Sequence, residues 1–145
     1  MMDENEIATL VLDSCFLIHR KIGPGVLESA YEAVLSYELG RKGLTIERQV
    51  PLPMIWDDLV IKECYRADMI VDHKVIVELK SVERILLVHR KQVLTYLRIT
   101  GCKLGLLVNF GAGMMKDGIT RVVNGLAEDE GVILERESRL FLPGG

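Results

Sequence analysis

The chain predicts an α/β protein of the α+β kind, with its elements in the order ααβββαβ. Three observations carry this reading. Residues 5–42 space their apolar side chains as helices do, residues 44–80 fall into Val-, Ile- and Met-rich runs punctuated by turn residues, and residues 85–110 return to a helix followed by one apolar strand.

In residues 5–21, Ile7, Leu10, Val11, Cys15, Ile18 and Ile22 recur at helical spacing behind Asp3 and Asn5, both suited to capping. His19 falls beside that apolar stripe and reads first as a packing or hydrogen-bonding residue. Gly23, Pro24 and Gly25 break the chain, and a second helix is expected over Leu27–Lys42, stopped by Gly43. Glu28 lies in its first turn, where the helix dipole favours a carboxylate. It also shares a stripe with Tyr31, Leu35 and Leu39, so it lies against an apolar face and calls for a partner.

Leu44–Val50 and Leu52–Trp56 are β-like, but Pro51 and Pro53 confine them to an outer strand or a bend. Asp57 and Asp58 mark a turn into a strand over Val60–Val71. Asp72, His73 and Lys74 then separate it from VIVELK, which gives a strand, turn, strand signal. With His73 at the centre, Asp68 is expected opposite Glu78, Arg66 opposite Lys80 and Ile70 opposite Ile76. Ala67, Met69, Val71, Val75, Val77 and Leu79 then share the other, wholly apolar face.

Facing carboxylates in such a ladder repel one another and ask for a cation. A hard divalent ion takes oxygen ligands, so Asp68, Glu78 and the backbone carbonyl of Leu79 form a suitable donor set. Lys80, two residues past Glu78 and on its face, is placed to orient a water and offset charge on a phosphate. The same residues also suit an ordinary hairpin in which Lys80 makes a surface ion pair.

Ile85–Thr100 is helical in pattern and closes at Gly101. His89, Gln92 and Tyr96 line one side, opposite Leu86, Val93, Leu94 and Leu97. That polar stripe follows the strand bearing Glu78 and Lys80 and can reach back over it. Lys103–Phe110 reads as a buried strand and Ile119–Val123 as a last short one. A folded domain over residues 1–123 and a loosely attached or marginally structured tail over 124–145 are therefore expected.

Composition narrows the classes. With 49% hydrophobic and 27% charged residues, the chain can build one sizeable core. Cys15, Cys64 and Cys102 lack CxxC spacing, which argues against a disulfide framework and a structural zinc site. The acidic start MMDENEIATL is unlike a secretory signal, and no apolar run approaches the roughly 18 residues a membrane helix needs. A soluble cytoplasmic protein without membrane contact is expected. Net charge is −3, so no global basic surface advertises nucleic-acid binding. Arg20, Lys21, Arg66, Arg84, Arg90, Lys91 and Arg98 remain available to gather at a site or to solvate helix faces.

Taken together, the segments GPGVLESAY, YRADMIV, VIVELK, HRKQVLTYL and LLVNFG resemble the PD-(D/E)XK nuclease superfamily. Within it they are most similar to the small bacterial and archaeal GxxExxY proteins, through Gly25, Glu28 and Tyr31. The likeness spans residues 5–123. It implies a restriction-endonuclease-like core, a mixed central sheet flanked by helices, with hydrolysis of nucleic-acid phosphodiester bonds at its edge. By position, Glu28 corresponds to the helix carboxylate that assists metal binding in RecB-like members. Asp68 and Glu78 correspond to the main ligands of Mg²⁺ or Mn²⁺, and Lys80 to the water-orienting residue. Gln92 and Tyr96 make the QxxxY element, and with Tyr31 and His89 they support the site or contact substrate. The expected function is metal-dependent cleavage, of DNA before RNA. The alternative is a noncatalytic nucleic-acid or protein-interaction module that keeps the fold, as a homodimer or with a partner protein.

Overall fold

The computed structural model describes residues 1–126. It contains α1 (Glu4–Ile22), α2 (Glu28–Arg41), β1 (Ile46–Trp56), β2 (Leu59–Val71), β3 (Val75–Lys80), α3 (Leu87–Thr100), β4 (Leu104–Asn109) and β5 (Ile119–Val123), with a 3₁₀ turn at Met115–Gly118 that the sequence pattern did not announce. Residues 127–145, most of the expected tail, lie outside the described residues. Within the rest of it, the backbone N–H of Asn124 still bonds Lys103 O at 2.9 Å and Leu126 is buried against the core.

The strands form one sheet in the order β1-β2-β3-β4-β5. β3 and β4 are parallel and the other neighbours antiparallel, which makes the sheet mixed. A parallel pair needs a crossover, and α3 provides it. α1 and α2 pack on one face through Ile7, Val11, Cys15, Tyr31, Leu35 and Leu39, over Met69, Val77, Leu79 and Leu106. α3 packs on the other through Val93, Leu94, Tyr96 and Leu97, over Ile70, Ile76 and Leu107. Covered on both sides, β3 and β4 are buried along almost their whole length, as the near-continuous apolar runs VIVEL and LGLLV require.

Local chemistry explains the boundaries. Asp3 caps α1 by accepting the Glu6 N–H at 2.8 Å, and Glu6 returns a capping-box bond to the Asp3 N–H at 3.3 Å. β1 is an edge strand, which tolerates Pro51 and Pro53, and its register against β2 shifts between Leu52 and Met54. Asp72 and His73 both take positive φ, 49° and 57°, and the Lys74 N–H bonds Val71 O at 3.0 Å, the signature of a type I′ turn. This turn sets the register Val71↔Val75, Ile70↔Ile76 and Met69↔Val77.

That register then stops, and here two expectations are corrected. The β2–β3 ladder ends at Met69↔Val77, so Asp68 and Glu78 are not a ladder pair, nor are Arg66 and Lys80. Ala67 does not share a face with Met69 either. Met69 and Val71 pack under α1 and α2, while Ala67 and Tyr65 pack under α3. In a regular strand residues of one parity share a face, so the chain has exchanged faces across Asp68. β1 does the same across Gln49, where Ile46 lies on the α1/α2 side and Val50 and Leu52 on the α3 side. The two strands stay in register on both sides of the exchange, Arg48↔Met69 and Val50↔Ala67, which sets Gln49 opposite Asp68.

Candidate active site

Where β2 leaves β3, two carboxylates replace the missing backbone partners. Glu78 Oε1 accepts the N–H of Asp68 at 2.7 Å, and Asp68 Oδ2 accepts the N–H of Leu79 at 2.9 Å. Buried N–H groups are costly to leave unpaired, so this reciprocal capping lets the sheet split open without orphaned donors. It also holds the two acids side by side at the mouth of the split.

Glu78 is only 3% exposed. Burial, and then the negative charge of Asp68, push its carboxyl up to about 8, against the pull of the Asp68 backbone N–H and the Lys80 ammonium. Lys80 is half-buried, and among the described residues its ammonium makes no ion pair. Its backbone is fixed by the Phe110 N–H, which bonds Lys80 O at 2.8 Å.

On the α2 side, Glu28, Ser29, Glu32, Gln49, Asp68 and Leu79 line a cleft of about 320 Å³. Glu28, exposed at the first position of α2, is brought there by the loop before it. The Tyr31 hydroxyl donates to Gly23 O and accepts the Val26 N–H at 3.2 Å, while Ser81 Oγ, one residue past Lys80, bonds Val26 O at 3.1 Å. Gly23 and Gly25 take φ of 76° and 102°, a region that glycine enters without strain, so the loop can fold back onto β3. Tyr31 is fully buried and stacks on Phe110 with ring centroids 4.2 Å apart, so its ring is closed off from solvent and its hydroxyl holds the loop before α2. Glu78 is not among the residues lining this cleft.

From the α3 side, Tyr96 is buried and hydrogen-bonded to Gln92, with its ring 5.5 Å from that of Tyr65. Its hydroxyl is pushed up by burial and then by the charges of Glu78 and Asp68, which places the Gln92–Tyr96 element within electrostatic reach of both acids. His89 is engaged at the start of its own helix. Its Nδ1 accepts the Leu86 N–H at 3.0 Å and caps α3, a helix without an acidic residue in its first turn. His19, set aside as a hydrogen-bonding residue, contacts Ala112 O through Nε2 at 2.8 Å.

Asn109 ties the end of β4 to the segment that follows β3. Buried at the end of β4, it accepts the N–H groups of Val82 and Gly111, each at 3.0 Å, and donates to Val82 O at 2.9 Å. A Cβ on Gly111 would stand 2.3 Å from Val82 O, so only glycine fits beneath this turn.

The sequence pattern missed Glu32 and Gln49. Glu32 is 6% exposed, and both its oxygens are engaged, Oε2 by Arg48 (Nη2 2.9 Å, Nε 3.1 Å) and Oε1 by Gln49 Nε2 at 2.6 Å. The available signal was its i+4 spacing from Glu28, which sets both on one helix face. Gln49 has φ of 50° in mid-strand, a conformation costing on the order of 1 kcal/mol for a residue with a Cβ.

The donors at this site, the carboxylates of Asp68, Glu78 and Glu28 and the Leu79 carbonyl, are all hard oxygens. They fit Mg²⁺ or Mn²⁺ by ligand type, and Glu78 is pushed up first by burial and then by the charge of Asp68, both of which a bound cation would oppose. Among the described residues, however, no three His, Cys, Asp or Glu side chains form a group that would hold a metal ion.

A mixed five-stranded sheet between helices, split beside paired acids and a lysine, defines a nuclease-like α+β protein. The chain belongs to the PD-(D/E)XK nuclease superfamily, whose family profile matches residues 5–122. Neither the curated proteins nor the solved structures gave a match. No helix among the described residues is long and apolar enough to cross a membrane.

Proposed function

We propose that this protein is a metal-dependent nuclease of the GxxExxY, RecB-like kind, and that it hydrolyses phosphodiester bonds in DNA. The observation that carries the reading is the reciprocal capping of Asp68 and Glu78. It holds the two carboxylates together at the opening of the sheet, with Asp68 and Leu79 lining a cleft that Glu28 also lines, and Lys80 two residues past Glu78 supports the reading. Asp68, Glu78, the Leu79 carbonyl and Glu28 would hold Mg²⁺ or Mn²⁺, which when bound supplies positive charge to the phosphate and acidifies a water. Lys80 orients that water and neutralises charge gathering on the phosphate oxygens. Gln92 and Tyr96 brace the acids from the α3 side. Asp68→Ala and Lys80→Ala, each still folded, should abolish Mn²⁺-dependent cleavage of DNA. Cleavage surviving both changes would remove these residues from the chemistry.

One observation favours the second reading, a noncatalytic nucleic-acid or protein-interaction module: no three acids among the described residues are yet drawn into a metal-holding group. Nucleic-acid binding that needs no divalent ion and survives both substitutions would establish that module, acting as a homodimer or with a partner protein.

A further inference from the structure

We infer that Gln49 is a positioning residue for Asp68, anchored in turn by Glu32, so that the edge strand β1 is part of the site; this rests on the reading of Asp68 as a functional carboxylate. The Gln49 amide nitrogen has two N–H groups, and two acceptors stand in reach: Glu32 Oε1 at 2.6 Å and Asp68 Oδ1 at 3.3 Å. Glu32 cannot drift, because it is buried and Arg48 clamps its other oxygen. The amide therefore hangs from a fixed acid and presents its second N–H to Asp68. With Oδ2 already taken by the Leu79 N–H, the Gln49 contact fixes the remaining torsion of the Asp68 carboxylate and so its aim into the cleft.

The backbone of Gln49 supports the same conclusion. Among the described residues, four positions other than glycine have positive φ; Asp57, Asp72 and His73 lie in turns, whereas Gln49 alone lies within a strand. Its conformation exchanges the faces of β1 and delivers the side chain between α2 and β2. Asparagine or glycine would adopt that φ more readily, but neither reaches Glu32 and Asp68 together.

That difference provides the test. Gln49→Gly and Gln49→Asn both keep the backbone conformation and lose the reach. Each relieves the strained φ but leaves Glu32 Oε1 without its Gln49 partner, so the two effects offset and the melting temperature should change by only a few degrees. Amide exchange at Leu79, which reports the Asp68 Oδ2 bond, should speed up about tenfold, while Ile76 and Val77 in the intact ladder stay protected. Mn²⁺ affinity, measured by calorimetry, should fall about tenfold in parallel. Unchanged Leu79 exchange in both variants overturns the inference, as does a uniform loss of protection with a lower melting temperature, which would mark Gln49 as merely structural. If the unmodified protein binds no Mn²⁺, the metal-dependent reading fails while the Leu79 measurement still decides the role of Gln49.

Discussion

Replacing Glu78 with glutamine should make the metal-free protein more stable at neutral pH, and the size of the gain follows from the site. Burial and the neighbouring Asp68 raise the Glu78 carboxyl from 4.5 to about 8. A carboxyl with a raised folded-state pKa favours folding in its neutral form. Its contribution is fully present below the unfolded pKa near 4.5 and is lost progressively as pH rises towards 8. At about 1.4 kcal/mol per pH unit, ionisation costs the fold roughly 3 kcal/mol by pH 7. Glutamine has the same shape and keeps an oxygen to accept the Asp68 N–H, but carries no charge to desolvate. Glu78→Gln should therefore raise the melting temperature by roughly 10 °C at pH 7 to 8, on the scale expected for a domain of this size. At pH 4 the two proteins should melt together. The assay is calorimetric melting across pH 4 to 8 in chelator, where the unmodified protein should lose stability relative to the variant as pH rises. A constant difference across that range, or a variant less stable at pH 8, would refute the argument. Adding Mn²⁺ should reverse the ranking, because only the carboxylate binds the ion, and its binding at pH 7 should release about one proton, read as a dependence of the heat on buffer ionisation enthalpy.

Other substitutions test the supports. Asn109→Ala removes three hydrogen bonds and leaves part-buried backbone groups of Val82 and Gly111 without that partner, so chemical denaturation should show a loss of roughly 1 to 3 kcal/mol. Tyr31→Phe keeps the stack on Phe110 and frees the Gly23–Val26 loop; it should cost about 1 to 2 kcal/mol and weaken Mn²⁺ binding through Glu28. Burial pushes the Cys15 thiol up to about 12, so at pH 8 a thiol reagent should modify the half-buried Cys64 first and leave Cys15 unmodified in the folded protein, as mass spectrometry of the labelled chain would show.

Much of this architecture was written locally. Helix periodicity gave α1 and α2, Pro51 and Pro53 marked the edge strand, and the three polar residues Asp72, His73 and Lys74 set a turn whose register holds for every paired residue of β2 and β3. Each of these depends on neighbours in sequence, where single residues constrain the backbone directly. The closeness of Asp68 and Glu78 was legible for the same reason, since a hairpin brings residues 68 and 78 together whatever the rest of the chain does.

The arrangement of the acids was not legible, and the reason is physical. The alternation that predicted a facing pair assumes a regular pleat, and the pleat is interrupted where the acids stand. Opposite Asp68 stands a glutamine at positive φ, held by Glu32 from a part of the chain that is distant from Asp68 in sequence. No periodicity in β2 and β3 records those contacts. A regular ladder would have used the Asp68 and Leu79 N–H groups on backbone carbonyls and left the carboxylates as an exposed repelling pair. Opening the ladder instead commits one oxygen of each acid to a backbone N–H, which fixes the acids in place while leaving the split between β2 and β3 for a ligand. The local rule thus fails at the point where the fold gives up strand pairing to build the site, and a failure of that kind is itself a pointer to function.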